Sequence, residues 1–312
     1  MAKVKFGWRV PAFPADESRG PVFIRQIHEI LTLAANHFDS AWVADHFVPW
    51  ARWQAPHVDT LECFSTIAYI AGLCPKLYVG SIVMSNSYRP PSLLAKMGAT
   101  LQALTGGRFI LGIGAGWKED EYHAYGYKFP PAATRIRQLE EGVQVIKAMW
   151  TQSPATFHGR YYHIENAYCE PRPHPMIPIM IGGGGERLTL RVVAKYADWW
   201  NFPGGSVENY AHKLNVLREH CRVVGRDYDQ IVKTWATETV AVARTEAEAY
   251  RMAQASRFYD GYGLVGTPNQ VADQIRAFVR LGVEHFILRF ADFPRPDAMQ
   301  LFIEEVMPQF KE

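Results

Sequence analysis

The chain has 312 residues, of which 48% are hydrophobic and 21% charged, the balance of a globular protein whose core needs no metal or disulfide staple. Its formal charge is +2, with Lys and Arg dispersed rather than clustered, so no nucleic acid or other polyanion is an expected partner. Cys63, Cys74, Cys169 and Cys221 stand far apart without a C-x-x-C pair, MAKVKFGWRV lacks a signal-peptide core, and no stretch reaches membrane-spanning length. These features predict reduced thiols in a cytoplasmic protein with no membrane partner.

In chain order, VKFGW reads as a strand, and residues 22–37 carry apolar side chains at helical spacing. SAWVAD is a second strand, followed by an apolar helix near 61–73. LYVGSIVM is a third, then a helix from Pro91, where proline suits the first turn. RFILGIG is a fourth, with a long helix TRIRQLEEGVQVIKAMW after it. Residues 155–173 break the rhythm as an extended insertion turning at His158-Gly159. Then come IPIMIG, helix 186–197, DWWN, helix 207–224, strand IVKTWATETVAVA, helical residues 245–258, helix 268–281, strand HFILRF and a closing helix 297–310.

No linker interrupts the series, so one domain over 1–312 is expected. Strands joined by helices must run parallel, and right-handed crossovers close eight such units into a (β/α)8 TIM barrel. A doubly wound open sheet also alternates, but would more naturally divide a chain of this length.

In a barrel, chemistry collects where strands end. Strand 1 leads to Gly7-Trp8-Arg9, strand 2 to Asp45-His46, strand 3 to Ser85-Asn86-Ser87, strand 4 to Gly114-Ala115-Gly116-Trp117, strand 5 to Gly182–Gly185, and strand 8 to Arg289 and Asp292. His46 is either a strand-capping histidine or a proton-transfer group whose pKa suits neutrality. A neighbouring carboxylate can orient its ring or anchor a ligand. Trp50 is either core packing or a plate for a flat ligand. Trp8, Trp117 and Tyr122 extend that picture to an aromatic-walled cavity. LGIGAGW lacks the spacing of a dinucleotide fingerprint, so its glycines serve close approach of a ring or of backbone. The four glycines before a helix form either a flexible link or a phosphate nest, the latter favoured by the entropy that consecutive glycines cost.

Other chemistries fit less well. FGWRVP has no H-x-H for a metallohydrolase. His158, His163 and His174 show no regular ligand spacing, so no metal is expected. Asp45, Glu238 and Asp292 are unpaired as glycosidase acids, and G-x-S-x-G is absent.

FDSAWVADHFVPW, RPPSLLAKMGATLQALTGGRFILGIGAGWKEDEYHAYG, IGGGGERLTLRVVAKYADWWN and GTPNQVADQIRAFVRLGVEHFILRF together resemble the bacterial luciferase-like flavin and deazaflavin oxidoreductases, over most of the chain. The resemblance implies a barrel holding a flat redox cofactor at its strand ends. DHFVPW is similar to the branch using coenzyme F420. By that likeness Asp45 touches the deazaflavin, His46 exchanges the substrate proton, and Trp50 stacks near the reacting carbon. Ile82-Val83 is the expected position of a non-prolyl cis peptide behind the ring, with Ser85 nearby. Gly114 and Gly116 allow close approach, and Gly182, Gly183, Gly184 and Gly185 hold phosphate. The resemblance also implies a homodimer. Trp117 stands where sugar-phosphate relatives carry glutamate, and no clear basic set for a sugar phosphate is visible. An FMN-dependent monooxygenase and a non-catalytic cofactor-binding protein are the alternatives, and the intact His46 argues against the latter.

Overall fold

The computed structural model describes residues 4–50, 57–259 and 261–310. Eight strands form its centre: β1 (Lys5–Arg9), β2 (Ser40–Val43), β3 (Tyr78–Ser81), β4 (Phe109–Gly114), β5 (Ile179–Gly182), β6 (Trp199–Pro203), β7 (Val232–Val242) and β8 (Val283–Phe290). Each pairs in parallel with the next, and β8 returns to β1, closing the barrel. The reason is visible in β4, where all six residues of FILGIG are buried. A strand apolar on both faces has no solvent side, so it needs neighbours, interior and covering helices together.

The covering helices are α1 (Pro21–His37), α2 (Cys63–Leu73), α3 (Pro91–Thr105), α4 (Glu119–Ala124), α5 (Ala132–Thr151), α6 (Thr189–Tyr196), α7 (Val207–Val224), α8 (Glu246–Ala255), α9 (Pro268–Arg280) and α10 (Asp297–Leu301). Proline opens α1, α3 and α9, where its missing N–H leaves no bond unmade. Among the described residues no helix is long and apolar enough to cross a membrane.

Inside the barrel, Trp42, Ile82, Ile110, Met180, Ala236 and Ile287 form a separate apolar layer. His285 joins it. Ser40 Oγ accepts the Trp42 indole N–H at 2.7 Å and shares a hydrogen bond with His285 Nε2 at 2.8 Å. The other ring nitrogen of His285, Nδ1, has no hydrogen-bond partner among the described residues. Burial pushes the imidazole pKa down to about 3. This layer is the floor beneath the strand ends.

Several local expectations shift. The third strand stops at Ser81 and resumes at Met84–Ser85, after a cis Ile82–Val83 peptide. α4 lies within KEDEYHAYG, where polar residues mask helical periodicity. α6 starts at Thr189 rather than 186, because Glu186–Leu188 form a turn. The insertion is an antiparallel hairpin of Ala155–His158 and His163–Ala167. Leu264–Gly266 adds a short strand alongside Val240–Val242. The closing helix changes pitch after Leu301, through a π turn to a 3-10 turn around Pro308, whose ring supplies no donor.

Candidate functional site

One cavity of about 660 Å³ opens at the strand ends. Asp45, His46, Trp50, Ile82, Val83, Ser85, Gly114, Gly116 and Gly182–Gly185 all line it. His46 and the glycine segment therefore share a single enclosure.

On the β2 side, His46 does not bond its neighbour Asp45. Its Nδ1 lies 2.8 Å from Glu121 Oε2, a residue 75 positions away on α4. Glu121 also takes a bond from the Tyr88 hydroxyl at 3.1 Å, one from Val48 N–H at 3.0 Å, and one from Phe47 N–H. Burial pushes the Glu121 carboxyl up, but the His46 bond and the two backbone N–H groups outweigh it and hold the pKa below the usual value. An ionised carboxylate only accepts, so His46 Nδ1 carries the hydrogen. Nε2 is left as the exchangeable nitrogen.

Asp45 lines the cavity, but its carboxylate is gripped from behind. Arg89 forms a two-pronged pair with it at 2.9 and 3.0 Å, and Ser85 N–H donates at 2.9 Å. Arg89 Nη2, one of the two nitrogens on Asp45, also reaches Glu62, which caps α2 by accepting from Phe64 and Ser65 N–H. The end of β2, the loop after β3 and the start of α2 are thereby tied into one unit.

Aromatic rings close this side. Trp50 lies 4.6 Å from His46 and 4.6 Å, edge-on, from Phe13. Trp117 meets His46 edge-on at 5.5 Å and lines the cavity. Trp8 and Tyr122 correct the aromatic-wall expectation. Both are buried in packing, and the Tyr122 hydroxyl bonds Ser85 Oγ.

The strand-end glycines have a local explanation. A Cβ on Gly114 or on Gly182 would lie 2.8 Å from a Val83 methyl, so Val83 occupies the space between them. Gly116 has φ +73, and a Cβ there would collide with Tyr122 Oη and Ser85 Oγ. What comes close at these glycines is the chain's own Val83, Tyr122 and Ser85. In the 182–185 segment, Gly183 N–H donates to Asn201 carbonyl oxygen at 3.0 Å, and Trp200 Nε1 donates to Gly183 carbonyl oxygen at 2.9 Å. Gly184 and Gly185 then lead to the α6 N-terminus.

Glu121, Arg89 and Tyr88 carry no signal in the sequence as site residues, and Arg9 and Glu238, visible there only as a strand-end residue and an unpaired acid, gain their pairing from the fold. Each is remote in sequence from its partner, and an acid on a six-residue helix carries no local signal. Away from the cavity, the hairpin brings His158, His163 and Glu165 together, exposed, with potential ligand atoms within 4.8 Å of one another. Cross-strand pairing of His158 with His163 makes this group, which linear spacing concealed. His174 is not in it.

Residues 4–263 match the family model described as luciferase-like monooxygenase. An F420-dependent glucose-6-phosphate dehydrogenase from Kineococcus radiotolerans is 33% identical over 201 residues, 63% of this chain. The match spans 58% of that relative's length. An FMNH(2)-dependent dimethylsulfone monooxygenase from Pseudomonas putida is 27% identical, covering 76% of this chain and 75% of the relative. The fold superposes on an F420-dependent secondary alcohol dehydrogenase in complex with an F420-acetone adduct. The TM-score is 0.83 at 19% identity, covering 99% of this chain and 100% of that one. With the barrel closed and the strand-end cavity in place, the family match has its structural counterpart: the chain belongs to the luciferase-like monooxygenase family and is an oxidoreductase of that family.

Proposed function

We propose that this chain transfers a hydride between coenzyme F420 and a small organic substrate, with His46 carrying the accompanying proton. The observation that carries the reading is the shared enclosure of His46, Trp50 and the glycine segment. The residues fit such a cofactor. Val83, between Gly114 and Gly182, offers an apolar wall for a flat ring. Gly184, Gly185 and the first turn of α6 suit a phosphate. Lys118 and Arg135 line the same cavity and suit a polyanionic tail. F420, when bound, supplies the hydride acceptor or donor.

The chain's own part is orientation and proton handling. Glu121 fixes the His46 tautomer, so Nε2 accepts a proton from a substrate hydroxyl or returns one. The Glu121 carboxylate then stabilises the imidazolium. Trp50, buried against the imidazole, shields it from water, while the largely exposed Trp117 meets it edge-on. Asp45, neutralised by Arg89, acts as a fixed part of the wall.

An FMN-dependent monooxygenase is the second reading, supported by the dimethylsulfone monooxygenase relative. Titrating the purified protein with F420 and with FMN, oxidised and reduced, separates the two. Saturable binding of F420 with substrate-dependent change in its absorbance is expected. Binding of FMN alone would replace the first reading by the second, and binding of neither would end both.

A homodimer is supported by exposed apolar side chains on neighbouring helices, namely Tyr69 and Leu73 on α2 and Leu93 and Leu104 on α3. Light scattering giving a monomer mass at micromolar concentration would refute it. Four free, buried cysteines support a cytoplasmic location, which cell fractionation tests.

A further inference from the structure

The wall beside Trp50 holds a second charged assembly that the proton relay does not use. Arg9 and Arg289 are 6% and 2% exposed, and Glu238 stands between them. Arg9 Nη2 meets Glu238 Oε1 at 2.6 Å, and Arg289 Nε lies 3.3 Å from Glu238 Oε2. Two guanidinium groups face one carboxylate, which leaves one positive charge over. The bonding is also incomplete. Among the described residues, Arg9 Nε, all three Arg289 nitrogens and Glu238 Oε2 have no hydrogen-bond partner. Arg289 is instead enclosed by rings, 3.9 Å from Phe258 and 5.3 Å from Trp50.

Arg289 borders a second cavity of about 100 Å³, adjoining the first through Phe258, which lines both. The polar side chains lining it are Ser256, Arg257 and Arg289. No acidic side chain is among the described residues around it. A buried guanidinium whose carboxylate partner is shared with a second arginine and forms no hydrogen bond to it is costly, and such an arrangement points to a ligand that supplies acceptors. A carboxylate or phosphate presents two parallel acceptors to the guanidinium fork.

We propose that the small cavity lined by Arg289, with Arg9 sharing Glu238 from the wall of the larger cavity, is an oxyanion subsite for the substrate, so the molecule reacting at His46 carries a carboxylate or phosphate group. As a statement about substrate, this rests on the redox reading. As a statement about anion binding, it stands alone. Neutral analogues leave the guanidinium unpaired, and a site of this kind discriminates against them strongly.

The test is isothermal titration calorimetry of the full-length chain without cofactor, using inorganic phosphate in one arm and succinate in the other. Saturable binding in at least one arm is expected, and the arm that responds identifies phosphate or carboxylate as the anion. Arg289→Met should weaken that binding by about tenfold or more, the scale of a charged hydrogen bond. Arg9→Met serves as the second variant, with circular dichroism confirming that each is folded. No saturable binding by the wild-type chain in either arm overturns the proposal. So does undiminished binding in a folded Arg289→Met or Arg9→Met chain, since an anion held only at the Gly182–Gly185 segment would ignore both changes. Failure here with normal F420 or FMN titration removes only this inference. Anion binding with neither cofactor bound removes only the redox reading.

Discussion

The two charged walls of the cavity differ in how completely their donors and acceptors are matched. On the β2 side, Glu121 receives four hydrogen bonds and Asp45 three. On the neighbouring wall beside Trp50, Arg289 donates no hydrogen bond to the described residues and shares Glu238 with Arg9. A fully matched wall can be set before any ligand arrives, as proton transfer requires. A wall with donors left over is destabilised until something binds. Preorganisation and recognition thus occupy different walls of one cavity.

Arg89→Met should break the matched wall most severely. It leaves the buried Asp45 carboxylate without its cation, at a cost of about 3–5 kcal/mol, measured by urea unfolding. A loss below about 1 kcal/mol would mean the pair behaves like a solvated one. Glu121→Gln should keep the fold but disturb the tautomer of His46. Turnover is expected to fall about 100-fold. Wild-type turnover in a folded Glu121→Gln chain would reduce Glu121 to packing.

His285 sharpens the comparison from the floor, where a buried imidazole with one unmatched nitrogen is kept neutral instead of charged. Its folded pKa, lowered to about 3 by burial, lies below the ordinary histidine value, so the unfolded chain takes up the proton first as pH falls. The stability this creates is complete above about pH 6.5 and declines toward pH 3. Between pH 7 and 5 the loss is about 2 kcal/mol. It should appear in urea unfolding as a steeper pH dependence than in His285→Gln, and parallel curves would contradict the burial argument. The smallest effect belongs to Arg289→Met, expected within about 1 kcal/mol of wild type because relief of a buried charge offsets the lost ring contacts. Lowered by burial despite Glu238, its pKa of about 10 reflects that penalty. A loss as large as that of Arg89→Met would erase the distinction between the walls.

The barrel was legible because period and order are local properties of sequence. Runs such as FILGIG admit no solvent face, and eight of them between amphipathic helices leave few topologies. The positions of His46, Trp50 and Gly182–Gly185 followed, since strand ends converge in any such barrel. Their partners did not. Asp45 sits beside His46 in sequence, yet the strand turns its carboxylate to Arg89, while the histidine meets an acid on α4. Strand ends far apart in sequence become neighbours only on closure, so the pairing of charges is a tertiary fact. The glycines of LGIGAGW were readable as sites of close approach, but not that Val83 and Tyr122 are what approaches.

The central claim is that His46 moves the substrate proton within a cavity built to hold a planar redox cofactor. His46→Ala tests it most directly, with F420 or FMN affinity and turnover measured on the same preparation. The account predicts unchanged cofactor affinity and turnover lowered by about 100- to 10,000-fold. Full turnover with normal cofactor binding would contradict it.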